Sequence, residues 1–204
     1  MGPQLARGIA ACTTIYKDAT AAAGRVDDER GRLEFEVMAG LKMETPRRFD
    51  GAVADAFESA STDCEPIFVP FAYFTDDRGW SIMNQLQGVM GPLGQVNYSV
   101  QYPGVVKAWH RHQMQADFWL CLHGHVRVGV YREADKRAWS AVIGEKRPGV
   151  VVIPPPLWHG AATVGGQWAG LFYYVTRSYD PADPDEQRQP FDGVEGFDWQ
   201  VRHR

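Results

Sequence analysis

The chain has no apolar run approaching the roughly 20 residues that a membrane span requires. Residues 4–24 also lack the continuous apolar segment of a secretory signal. Neither charge sign dominates: 21 Lys and Arg stand against 25 Asp and Glu, a net charge of -4. A chain without a basic excess has no face to lay along a nucleic-acid backbone or an anionic membrane, so neither is an expected partner. Any phosphate it meets must be met by a few placed cations. Cysteine is scarce, and Cys12, Cys64 and Cys121 are odd in number and widely spaced. They read as neither a disulfide framework nor a zinc pair, which points to a reducing cytoplasm. No internal repeat divides the 204 residues, so one domain with appendages is expected.

What is present is an aromatic share of 12%, with 21 Gly and 13 Pro as punctuation. Residues 1–62 read as a partly helical N-terminal extension, and 63–204 as the main domain. In the extension, the alanines at 21–23 and the charged stretch at 25–36 suit a peripheral helix or solvated tail. Asp50-Gly51 opens a short helix to about Ser61, with Val53, Ala56 and Phe57 on one face. From Ile67 the texture becomes strand and turn. Strands are expected over 95–102, 105–112, 118–123, 125–132, 138–143, 150–154 and 170–176, separated by Pro103-Gly104, Gly124, Gly144, Pro148-Gly149 and Gly165-Gly166. Many short strands spaced by Gly and Pro indicate an all-β sandwich or barrel. Val126, Val128 and Val130 alternate with other residues, as a half-buried strand does. The unbroken VVVI at 150–153 should be buried on both faces. Trp199 anchors the Pro- and Asp-rich tail that starts near Tyr179.

Five of the six histidines fall between 110 and 159. His110 and His112 are two apart on an expected strand, so both rings point to one side. Asp117 opens the next strand, and His159 follows the buried run. Three imidazoles and a carboxylate suit a divalent Fe, Mn, Ni, Cu or Zn. His123 and His125 straddle Gly124 at a hairpin and read as surface residues.

The spacing of Gly104, His110, His112, Asp117 and Gly124, followed by Gly149, Pro154 and His159, resembles the two-part signature of the cupin superfamily. It departs at Asp117, where Glu is usual, and at Pro156, where Gly is usual. The resemblance implies a double-stranded β-helix, or jelly roll. Within the cupins, six segments in order resemble the dTDP-4-dehydrorhamnose 3,5-epimerase family: FTDDRGW (74–80), QVNYS (95–99), GVVKAWH (104–110), IPPPLWHG (153–160), FYYVTRSYDP (172–181) and FDW (197–199). They cover roughly two thirds of the chain.

That resemblance implies a nucleotide-sugar 3,5-epimerase acting on a dTDP-4-keto-6-deoxyhexose, an isomerase needing no cofactor, cytoplasmic and homodimeric. Carried over motif by motif, His110 would be the general base and Tyr173 the general acid. Arg78 and Lys107 would meet the diphosphate, Gln95 and Asn97 the nucleotide, and His159 the sugar. A turn ion pair with Asp76 or Asp77 is the competing role for Arg78. At Asp117 the family carries Lys, and at His112 a non-ligating residue. These changes restore a full ligand set, His110, His112, Asp117 and His159, for one divalent metal. Two mechanisms therefore compete at His110, because a coordinated imidazole has no free lone pair with which to take a proton. Further alternatives are a metal-dependent cupin oxygenase, lyase or isomerase on another small molecule, a sugar 3,4-ketoisomerase, and a non-catalytic sugar-binding cupin.

Overall fold

The computed structural model describes residues 41–200. The alanine run at 21–23 and the charged stretch at 25–36 lie outside the described residues. The described chain runs through β1 (Lys42–Glu44), β2 (Arg47–Arg48), α1 (Val53–Asp63), β3 (Ile67–Pro70), β4 (Phe74–Asp76), β5 (Gly79–Ser81), β6 (Gln95–Gln101), β7 (Val106–Arg111) and β8 (Asp117–His123). It continues through β9 (His125–Arg132), β10 (Arg137–Gly144), β11 (Gly149–Ile153), β12 (Trp158–Val164), β13 (Ala169–Val175) and β14 (Gln187–Arg188). The fold is the all-β cupin jelly roll. One sheet has the order β1-β10-β9-β12-β7-β14, the other β2-β3-β11-β8-β13-β6, and β4-β5 form a separate hairpin.

The seven expected strands are all present. Val126, Val128 and Val130 turn inward between the sheets, where they pack with Trp119, Val151, Ile153 and Leu171. Every residue of β11 is buried, because α1 covers the outer face of its sheet while the sandwich core lies on the inner one. α1 starts at Val53, not at Asp50: the Asp50 carboxylate is taken by Arg48 at 2.8 Å and cannot cap the helix. The helix nevertheless buries Val53, Ala56 and Phe57 as its apolar face requires. Cys64 ends it in a left-handed conformation. That residue is disulfide-bonded, which corrects the reading of unpaired thiols, while Cys121 is free and buried.

β12 carries little β-propensity in its sequence, WHGAATV, and the strand reading passed it over. Its small residues have a packing reason. A Cβ at Gly160 would come within 2.3 Å of the Ala108 Cβ on the adjacent β7. Likewise a Cβ at Gly129 would meet Phe197 and Trp199 at 2.6 Å. Those two rings close the outer face of the first sheet over Trp109, with ring centroids 4.7 and 4.9 Å from it. Trp199 thus holds the tail as expected. Among the described residues no helix is long and apolar enough to cross a membrane.

Candidate active site

Register brings the histidine cluster together. β12 pairs with β7 so that His159 stands opposite His110. Asp117, at the start of β8, lies across from Ile153 of β11 and Val175 of β13. The two sheets therefore deliver His110, His112 and His159 from one side and Asp117 from the other, at one end of the sandwich. One potential ligand atom from each of these residues lies within 4.8 Å of all the others. The His159 ring is 4.3 Å from that of His110 and 5.5 Å from that of His112, centroid to centroid.

Hydrogen bonds set the state of each group. Leu157 O accepts from His159 Nδ1 at 2.9 Å, and Asp185 O accepts from His112 Nδ1. A carbonyl can only accept, so both rings carry a proton on Nδ1. His159 Nε2 is buried with no hydrogen-bond partner among the described residues, and it faces Asp117 Oδ2 across 3.5 Å. A lone pair and a carboxylate set face to face in a dry site repel unless a proton or a cation lies between them. Asp117 is otherwise fully engaged: Gln115 Nε2 donates to Oδ1 at 2.8 Å and Trp119 Nε1 to Oδ2 at 3.0 Å. Burial alone would raise this carboxyl. The His159 contact and the nearby imidazoles outweigh burial and hold it well below the usual range.

His110 is shifted in the other sense. Burial, then the neighbouring His159 imidazole, push its pKa well below 6.5 against the pull of Asp117. It is a neutral imidazole at pH 7, able to serve as a base or as a ligand. The acid limb of kcat/KM is therefore expected below pH 6.5, where an unperturbed histidine would titrate. A pH–rate profile checks this, and a limb at or above 6.5 would contradict the neutral-imidazole assignment.

A cavity of about 300 Å³ opens onto the cluster, and Gln95, Asn97, His110, His112, Asp117 and Tyr173 all line it. Tyr173 is half-buried and packs against Trp119 at 6.4 Å between centroids. Burial raises its phenol pKa, so it stays protonated. Gln95 Nε2 donates to Asn97 Oδ1 at 2.6 Å on β6. His159 is 2% exposed and lies behind His110, outside the lining. Lys107 is also outside it, although its Nζ donates to Ser99 Oγ at 2.7 Å on the strand that carries Gln95 and Asn97. Arg78 sits on the β4–β5 hairpin with its side chain 85% exposed, paired with Asp76 and away from the cavity. His123 and His125 lie at the hairpin outside the lining, as expected; His123 pairs with Glu145 at 2.9 Å.

The cations that do line the cavity are Arg177 and Arg188. The sequence motifs assign no pocket role to either, nor to Gln115, and the residues from Tyr179 to Glu186 that wall the cavity read as tail from their Pro and Asp content. The available signal was adjacency: Arg177 follows the Tyr173 strand directly. The donor set, its burial and the orphaned His159 Nε2 fit a divalent cation.

No protein-family model matches the chain. It is 35% identical over 138 residues to the spore coat polysaccharide biosynthesis protein SpsL of Bacillus subtilis, covering 64% of this chain and 91% of that protein. It is 42% identical over 101 residues to the Probable low-salt glycan biosynthesis epimerase Agl13 of Haloferax volcanii, covering 47% of this chain and 65% of that protein. The crystal structure of dTDP-4-dehydrorhamnose 3,5-epimerase from Elizabethkingia anophelis superposes with a TM-score of 0.54 at 22% identity, over 67% of this chain and 82% of that one.

Proposed function

The chain belongs to the cupin family of dTDP-4-dehydrorhamnose 3,5-epimerase-like sugar epimerases, and from that premise we propose that it epimerises a dTDP-4-keto-6-deoxyhexose beside the keto group. The observation that carries the reading is one cavity lined by a neutral His110 from one sheet and a protonated Tyr173 from the other. A 4-keto sugar has acidified C–H bonds at C3 and C5. His110 takes a proton from one face of the ring, and Tyr173 returns one from the opposite face, inverting the carbon. Gln95 and Asn97 hold the nucleotide. His159, behind the His110 ring, supports it rather than touching the sugar. Deuterium wash-in at C3 and C5 of the dTDP-sugar tests the assignment. Wash-in at neither carbon would exclude it, and migration of the keto group from C4 to C3 would make the protein a 3,4-ketoisomerase.

The diphosphate falls to Arg177, a lining cation that stands directly after the Tyr173 strand. Arg188 lines the cavity too but is paired with Glu186 at 2.9 Å. Arg177→Ala is expected to raise KM by at least ~10-fold with little loss of kcat, since it removes binding shared by ground and transition states. Arg78→Ala, on the exposed hairpin, should change KM less. Steady-state kinetics on both variants check this; a pure kcat loss in Arg177→Ala would place that residue at the reacting carbon instead.

The orphaned His159 Nε2 favours a second reading of the same cavity. His110, His112, Asp117 and His159 would hold one divalent metal, Fe, Mn, Ni or Zn by the donor set. When bound, such an ion supplies Lewis-acid polarisation of a carbonyl. In that case His110 is a ligand, and Tyr173 is left as the proton-transferring side chain. A cofactor-free epimerase remains the first reading.

We also place the reaction in the cytoplasm, where a nucleotide-activated sugar would be met; the Cys64 disulfide weighs against a fully reducing setting. A homodimer would form through β6, the outer strand of its sheet, whose Val96, Tyr98 and Val100 are 46%, 55% and 43% exposed. A monomer mass in solution would exclude it.

A further inference from the structure

We infer that the segment running from Asp185 to Gln189 is a strap that sets the tautomer and aim of His112, with Asp185 as the positioning residue. The strap is bound along β7, which carries His110 and ends one residue before His112, and it forms the outer edge of that sheet. Gln187 and Arg188 of β14 pair with Arg111 and His110 of β7. Gln189 and Trp109 exchange two backbone hydrogen bonds of 3.1 Å each, and Arg111 Nε donates to the Gln187 side chain at 2.7 Å. At its leading end, Asp185 does two things at once. Its carbonyl accepts from His112 Nδ1. Its carboxylate accepts the backbone N–H of Gln113 on Oδ1 and that of Met114 on Oδ2, each at 2.8 Å.

The two sets of contacts depend on each other. The carboxylate ties the strap to the two residues that follow His112, so the Asp185 carbonyl cannot drift from the ring it addresses. With Nδ1 protonated and held, His112 presents its Nε2 lone pair to the cavity that it lines. A backbone carbonyl that orients a metal-site histidine in this way governs both ring direction and basicity. His159 receives the same treatment from Leu157 O, but from two residues away in its own chain segment. For His112 the orienting group is 73 residues distant, so the state of one pocket histidine depends on how a C-terminal segment docks.

The inference deepens the reading of the cavity given above, but its test needs neither substrate nor metal. The full-length protein, treated with chelator and labelled with ¹⁵N-histidine, is measured by long-range ¹H–¹⁵N correlation at pH 8. In the wild type, His112 and His159 are both expected to carry their proton on Nδ1. In Asp185→Ala, His112 should move to a mixed or Nε2-protonated ring, its two nitrogens trading pyrrole-like and pyridine-like shifts, while His159 stays unchanged as the internal control. Asp185→Asn keeps one acceptor for the two amides and should fall between them; it decides the matter if the alanine variant does not fold. His112 protonated on Nε2 in the wild type, or unmoved in the variants, overturns the proposal. Failure of deuterium wash-in would remove the sugar reading and leave the tautomer result standing.

Discussion

Turnover of the 4-keto nucleotide sugar is expected to fall by ~10²–10⁴-fold in His110→Ala, the usual contribution of a positioned proton-transfer residue. His110 lines the cavity and is neutral at pH 7, and it is a member of the metal-ligand set as well. Its loss therefore reaches the chemistry in both readings. The fold should survive. His110 is only partly buried, and its main neighbours, His159 and Trp119, are held by their own hydrogen bonds to Leu157 and Asp117. The check is wash-in rate beside far-UV circular dichroism. Near-wild-type exchange in a folded His110→Ala protein would remove the site assignment altogether.

Asp117 separates the two readings most sharply. It is 2% exposed and holds Gln115, Trp119 and the His159 contact at once. In a metal site, Asp117→Asn removes the one charged ligand; metal content of the purified protein should drop, and activity should recover in part when metal is added. In a metal-free site, neither chelator on the wild type nor metal on the variant should have any effect. Asp117→Lys is the more drastic change. It places an ammonium where a bound divalent ion would need a carboxylate, and burial magnifies the repulsion between the two cations. We expect it to abolish both metal binding and turnover, with an additional loss of stability of ~1–3 kcal/mol from the Trp119 and Gln115 donors left without an acceptor. Elemental analysis, thermal denaturation and wash-in on the same preparation read all three. A fully active Asp117→Lys enzyme without metal would show that the ligand set is idle and that His110 works as a simple base.

Most of the sheet was legible because its signals are local. The alternation at Val126, Val128 and Val130, the unbroken 150–153 run and the glycines between strands report burial and turn geometry within a few residues of themselves. β12 was not legible, since its Gly160 and Ala161 answer to Ala108 and Val128 across the sheet and not to strand propensity. The residues of the cluster were legible as well, from the two-residue step between His110 and His112 and the spacing to Asp117 and His159. The far wall of the cavity was not. Arg177 had only its place just after the Tyr173 strand to mark it, while Asp185 and Arg188 stand in a stretch whose composition is that of a solvated tail, where nothing local marks them as pocket residues.

The sequence by itself determined the all-β fold class and the candidate groups of the site, because periodicity and ligand spacing are one-dimensional properties, and the resemblance of six motifs in order pointed to the family. Only the tertiary structure decided which cations face the cavity, placing Arg177 in the lining where the motifs had pointed to Arg78 and Lys107. It alone also decided the states of the groups. Burial makes His110 neutral, Leu157 O and Asp185 O choose the tautomers of His159 and His112, and the Asp117 carboxylate faces His159 Nε2. Desolvation and hydrogen-bond direction depend on segments up to 73 residues apart in the chain, and no local pattern carries them.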